Sequence, residues 1–136
     1  MPIVVDASVA LALLSEEMHP ALASALAELE QNEWVVPALW WFEIRNALIV
    51  NERRGRTSQQ LSARSLHELS QIATTVDTAP NGDNLMALAR KHRLTVYEAA
   101  YLELAVRAGL PLATLDADLI AAAQGEQVPL IGDGEG

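Results

Sequence analysis

The sequence predicts a single α/β domain in which a mostly parallel β-sheet is sandwiched between helices. Short β-branched runs alternate with longer segments of helical spacing along the chain. Hydrophobic residues make up 51% of the chain and aromatics only 4%, so Ala, Leu, Val and Ile must build the core, as in helix-rich α/β proteins. A length of 136 residues, without a repeat, low-complexity segment or long linker, leaves room for one core.

Ile3 to Val5 is a β-branched run ending at Asp6, and Val9, Ala12 and Leu13 then adopt helical spacing. Leu22, Leu26 and Leu29 place one helix over Met18 to Gln31, followed by a strand from Trp34 to Val36 that Pro37 stops. Leu39, Phe42, Ala47 and Leu48 predict a long helix from Ala38 to Arg54, ended by Gly55. Thr57 or Ser58 caps the next helix, which carries Leu61, Leu66 and Leu69.

A strand is expected over Ile72 to Val76, then a turn through Pro80 and Gly82 and a helix from Asp83 to His92. Leu94 to Tyr97 reads as a linker before a helix from Glu98 to Ala108, closed by Gly109 and Pro111. A strand over Leu112 to Leu115 ends at Asp116, a short helix covers Ala117 to Gln124, and Val128 to Ile131 forms a last strand. The domain thus spans residues 1–131, and the Gly-rich tail 132–136 is expected to fray.

The chain has no cysteine, which excludes disulfides, thiolate metal sites and a Cys nucleophile. Its first residues lack a basic stretch, and Asp6, Glu16 and Glu17 interrupt and close the apolar run, so neither a signal peptide nor a membrane span is expected and a cytoplasmic location is. A net charge of −9 has the wrong sign for holding nucleic acid by phosphate neutralisation. Acids gathered around a divalent cation would invert that field locally.

Ligand sites of open α/β sheets lie at the carboxyl ends of the strands. Asp6 and Asp116 each follow a strand and precede a helix, so both belong at that edge, where each also reads as a helix N-cap. Glu43 interrupts an apolar stripe between Leu39 and Ala47, and a carboxylate there needs an Arg, a metal ion or a proton. Thr95 and Glu98 spell a capping box, yet Glu98 also leads the apolar stripe through Leu102 and Ala105. Four carboxylates without a suitably placed His form an all-oxygen site suited to Mg²⁺ or Mn²⁺.

The segments VVDASVAL around Asp6, PALWWFEIRNAL around Glu43, LTVYEAAYLELA around Glu98 and PLATLDADL around Asp116 resemble, in order and spacing, the PIN-domain ribonucleases of the VapC type. The resemblance spans nearly the whole chain. It implies a three-layer α/β/α sandwich and an acidic pocket that binds Mg²⁺ or Mn²⁺ and cuts single-stranded or looped RNA. It also implies the role of toxin to a VapB-type antitoxin, and homodimerisation.

Carried over by motif, Asp6, Glu43, Glu98 and Asp116 form the catalytic, metal-binding cluster, with Asp6 and Glu98 as foremost ligands. Ser8 and Thr114 match hydroxyls that support the pocket, Asn46 a polar residue near Glu43, and Asp118 a fifth acid at the edge. Glu98 stands where this type of protein usually has Asp, and the extra methylene moves the carboxylate by about 1.5 Å. That departure and the acidic net charge motivate a second reading, a catalytically weakened module acting mainly by antitoxin or RNA binding.

Arg53, Arg54 and Arg56 form the densest basic patch, readable either as an RNA guide or as charge favoured at a helix C-terminus. The run Arg90 to Arg93 carries the same ambiguity, and His19, His67 and His92 are expected at the surface. Adjacent Trp40 and Trp41 cannot share a helix face, which points one of them to an interface. A receiver-like or phosphatase-like domain is disfavoured, because no second Asp lies two residues after Asp6 and the one lysine, Lys91, falls in a helix.

Overall fold

Four parallel strands form the middle layer of the computed structural model, in which residues 1–15 and 19–132 are described. They are β1 (Ile3–Val5), β2 (Trp34–Pro37), β3 (Thr74–Asp77) and β4 (Leu112–Ala113), in the order β3-β2-β1-β4. The register pairs Val4 with Val35 on one side and with Leu112 on the other. All three residues of β1 are buried, as a central strand covered on both faces requires.

The chain steps from β1 outward to β2 and β3, then returns to place β4 on the other side of β1. Right-handed crossovers running in opposite directions put their helices on opposite faces. By that rule one face carries the helices of the β1–β2 and β2–β3 crossovers, α1 (Ala7–Leu13), α2 (Pro20–Ala23), α3 (Leu26–Gln31), α4 (Leu39–Arg53) and α5 (Gln59–Ser70). The other carries α6 (Gly82–His92), α7 (Val96–Ala108) and α8 (Ala117–Gly125). Helix α7 packs against β1, β2 and β4, with α6 and α8 against it, completing the three-layer sandwich. The reversal between β1 and β4 creates a switch point, where a crevice opens at the carboxyl edge.

The expected helix from Met18 to Gln31 is instead two, α2 and α3, with a turn at Ser24 and Ala25; Met18 lies outside the described residues. Leu22, Ala25 and Leu29 are all buried across that break, so apolar spacing carried no sign of it. The expected strand from Val128 to Ile131 reduces to one bridge between Leu112 and Leu130, since Pro129 has no N–H to extend a ladder. Strand β3 begins at Thr74, because Ile72 still donates to Leu69 in the turn that ends α5. Strand β4 stops at Ala113, where Thr114 and Leu115 turn toward the side chains of Asp6 and Ser8.

Helix α7 starts at Val96, two residues before Glu98, with Thr95 as its N-cap. Of the expected tail, Gly132 is described: at φ +97 it packs so tightly that a Cβ would come 2.8 Å from the Ala21 carbonyl oxygen. Residues 133–136 lie outside the described residues. Among the described residues, no helix is long and apolar enough to cross a membrane.

Candidate active site

Asp6 leaves β1 at the switch point and caps α1, accepting from the Val9 N–H at 3.1 Å. Its Oδ1 also accepts from the Ser8 hydroxyl at 2.6 Å, and its Oδ2 accepts from Thr114. Oδ1 is thereby filled, whereas Oδ2 retains a lone pair for a further partner. Burial pushes the Asp6 carboxyl above its ordinary 3.8; the bonds from Ser8, Thr114 and Val9 oppose this, and the charge of Asp116 adds to it. Ser8 and Thr114 thus both hold Asp6, and they also fix the turn after β4: Leu115 N–H donates to the Ser8 hydroxyl and Asp116 N–H to that of Thr114.

Glu43 projects from the first half of α4 and is half-buried. The buried Tyr101, on α7, donates its hydroxyl to Glu43 Oε1. Burial raises the Glu43 carboxyl above its ordinary range, the Tyr101 bond pulls it back, and Asp6 pushes it up again. Burial and then the bond to Glu43 push Tyr101 upward too, so the phenol stays a neutral donor.

Glu98 completes a full capping box: its Oε1 accepts from Thr95 N–H at 2.9 Å, and its own N–H donates to Thr95 Oγ1 at 3.0 Å. Asp116 caps α8, accepting from Leu119 N–H at 3.0 Å. These N-cap roles and a place in the pocket coexist. Asp6, Ser8, Glu43, Glu98, Tyr101 and Asp116 line one small cavity of about 150 Å³.

One carboxylate oxygen each from Glu98, Asp116 and Asp118 lies within 4.8 Å of the other two. Oxygens on opposite sides of Mg²⁺ stand about 4.1 Å apart, so a small rotation closes this group onto such an ion. The donor set is all oxygen and includes no nitrogen or sulfur, which fits Mg²⁺ or Mn²⁺ better than zinc. Asp118, ranked last among the acids by sequence, stands within ligand spacing of Glu98 and Asp116, whereas Asp6 lies outside that three-acid group.

The other candidates lie further out. Asn46 is exposed on α4 and is not among the pocket-lining residues. Arg53, Arg54 and Arg56 are exposed around the end of α4, and Arg56 lines a separate groove with Arg64 between α1, α4 and α5. His92 departs from the surface role expected of it: its ring packs beneath Gly125 and meets Glu126 at 2.6 Å, beside Lys91. Trp34 and Trp40 are core residues, while Trp41 is about half exposed.

Two contributions escaped the sequence reading. Tyr101 falls three residues after Glu98, on the same helix face, and that spacing was the available signal. Glu103 is 2% exposed and pairs with Arg107 at 2.7 Å, and Arg107 reaches on to Asp77 at 2.7 Å. Its i,i+4 spacing to Arg107 was legible, but its burial was not.

A parallel sheet whose carboxyl edge gathers acids from four separate segments defines a class of α/β domain. Residues 3–125 match the PIN domain, and the chain belongs to that family. It is 33% identical over 123 residues to Ribonuclease VapC3 of Pyrobaculum aerophilum, across 88% of this chain and 92% of that protein. The crystal structure of PAE2754 from Pyrobaculum aerophilum matches with a TM-score of 0.73 and 26% identity, covering 96% of this chain and 89% of that one. FitAcB from Neisseria gonorrhoeae shares the fold, with a TM-score of 0.68 at 14% identity over 97% of both chains.

Proposed function

We propose that this protein is a divalent-metal-dependent endoribonuclease, a VapC-type member of its family acting as the toxin of a toxin–antitoxin pair. The observation that carries this reading is the convergence of Asp6, Glu43, Glu98 and Asp116 on one pocket at the switch point of the sheet. The ribonuclease name of the Pyrobaculum relative supports RNA as the substrate. When bound, Mg²⁺ or Mn²⁺ supplies water activation and charge neutralisation for an in-line displacement at phosphorus.

The chain's own groups divide the remaining work. Glu98, Asp116 and Asp118 provide the ligand oxygens nearest one another, and Asp6 adds its free Oδ2 lone pair. Ser8 and Thr114 orient Asp6. Glu43, oriented by Tyr101 and raised in pKa by burial, takes the proton from the attacking water. Arg53, Arg54 and Arg56 steer the RNA backbone, and Asn46 supports the outer rim beside Glu43. A VapB-type antitoxin covers the protein in the cytoplasm, and the exposed Trp41 contributes to a homodimer contact.

The test is cleavage of structured RNA by purified protein with Mg²⁺ or Mn²⁺, and with EDTA. Asp6→Ala and Asp116→Asn should each abolish it. Undiminished cleavage by either variant, or in EDTA, would sink the reading.

A further inference from the structure

Among the described residues, β3 ends the sheet and has one neighbour, β2. The Trp34 N–H donates to the Ala73 carbonyl at 2.9 Å, and alternate residues of a parallel strand bond the same neighbour. Ala73, Thr75 and Asp77 therefore turn to β2, while Thr74 and Val76 turn their N–H and C=O groups outward. Edge strands are commonly blunted by Lys, Pro or a bulge. This one has none of these: it reads Thr-Thr-Val-Asp, and its register runs unbroken from Trp34 with Thr74 to Pro37 with Asp77. Its single charge, on Asp77, is taken by Arg107.

A groove of about 270 Å³ runs beside this edge, lined by Thr74 and Val76 together with the apolar Trp40, Ile44, Leu69 and Ile72. Arg45 lines it as well. Its guanidinium lies 3.5 Å over the Trp41 ring and donates to the Trp41 carbonyl at 3.1 Å, which fixes its position. Among the described residues, none of the ion pairs includes Arg45. Burial lowers its pKa, so this cation has lost hydration without gaining a counter-charge.

Shape and charge together specify an occupant. An open ladder takes the backbone of an extended chain, and a groove beside it takes every second side chain. A carboxylate in that same row would give Arg45 its missing partner. A second copy fits less well, because two-fold pairing of β3 with β3 would put two Arg45 side chains on one face of the joined sheet and bring together two chains of net charge −9. We propose that the outer edge of β3 takes up an extended, acidic segment of another polypeptide as a fifth strand, with its apolar side chains in the Trp40 groove and a carboxylate on Arg45. The groove shares no lining residue with the acidic pocket, so occupancy of this edge is independent of the chemistry there.

The probe is a fluorescent, end-capped heptapeptide, Thr-Val-Thr-Glu-Thr-Val-Thr, whose Val and Glu side chains share one face and whose order reads the same in either strand direction. Its control has Lys in place of Glu. Fluorescence anisotropy should show the Glu peptide binding about tenfold tighter than the Lys peptide, and Arg45→Glu should invert that preference. Binding should slow hydrogen exchange at the Thr74 and Val76 amides. Val76→Pro removes an outward N–H that the β2 ladder does not use, and should weaken binding about tenfold. Failure of the Glu peptide to bind, equal affinity for both peptides, or affinity unchanged by both Val76→Pro and Arg45→Glu would overturn the proposal. So would a Val76→Pro protein altered only in its self-association in sedimentation, since the edge would then belong to a second copy.

Discussion

The Tyr101 hydroxyl on α7 donates to Glu43 on α4, and this bond joins the two helices that supply half of the acidic pocket. It has a mechanistic consequence, because a half-buried Glu43 is held in one orientation by a donor that never ionises in the working range.

Tyr101→Phe removes the hydroxyl and little else. A hydrogen bond to a charged acceptor contributes about 1.5–3 kcal/mol, so kcat should fall roughly ten- to a hundredfold while the protein stays folded. The Tyr101 bond lowers the Glu43 pKa, so its loss raises that pKa further. If ionised Glu43 accepts the proton, the acid limb of the pH–rate profile moves to higher pH. An unmoved limb would show that Glu43 is not the base.

Asp6 makes the metal-free protein sensitive to pH in an unusual direction. Its folded pKa lies above the ordinary 3.8, so the folded state holds the proton more tightly than the unfolded chain does. Stability is therefore highest below 3.8 as far as this group is concerned, and is lost as pH rises from there through the raised value. Urea titrations in EDTA should show this decline in the wild type and a flatter profile in Asp6→Asn. Adding Mn²⁺ above that window should restore stability to the wild type by binding the folded state.

Much of this site was legible because its acids follow elements that sequence patterns mark well. Asp6 directly follows β1 and Asp116 comes shortly after β4, each capping the next helix, and Glu98 sits in a capping box, so their placement followed from local rules. Glu43 stood out by interrupting an apolar stripe. Tyr101 did not, because a tyrosine on a buried helix face looks like any other core residue until its partner is known. The split between α2 and α3 was hidden for a related reason: Leu22, Ala25 and Leu29 keep a buried face across the turn. Glu103 was hidden because its ion pair runs through Arg107 to Asp77, which lies on another element.

In the proposed metal site Glu98 carries two roles that substitution can separate. Glu98→Gln keeps an amide oxygen for the capping box, so stability should change by less than about 0.5 kcal/mol. Calorimetric Mn²⁺ affinity should nonetheless fall at least about tenfold, as one of the four proposed ligand carboxylates becomes neutral. Thr95→Ala should do the reverse, lowering stability by about 1 kcal/mol with Mn²⁺ affinity retained. Equal losses of both properties in both variants would mean that cap and ligand roles are not separable.

The ion pairs of Arg107 should respond asymmetrically to the loss of each partner. Glu103 is buried on α7, whereas Arg107 is partly exposed and also grips Asp77 at the end of β3. Arg107→Ala strands a buried carboxylate without its donor, an effect of about 3–5 kcal/mol for a fully buried pair, which solvent around Arg107 reduces to roughly 2–3 kcal/mol. Glu103→Ala removes the buried charge itself and leaves Arg107 free to keep Asp77 or turn to water, so it should cost less. Urea midpoints of the two single variants and the double variant measure this directly. Because the double variant no longer holds the buried Glu103 carboxylate and leaves Asp77 as Arg107→Ala does, it should be at least as stable as Arg107→Ala alone, and a double variant markedly less stable than that would refute the asymmetry.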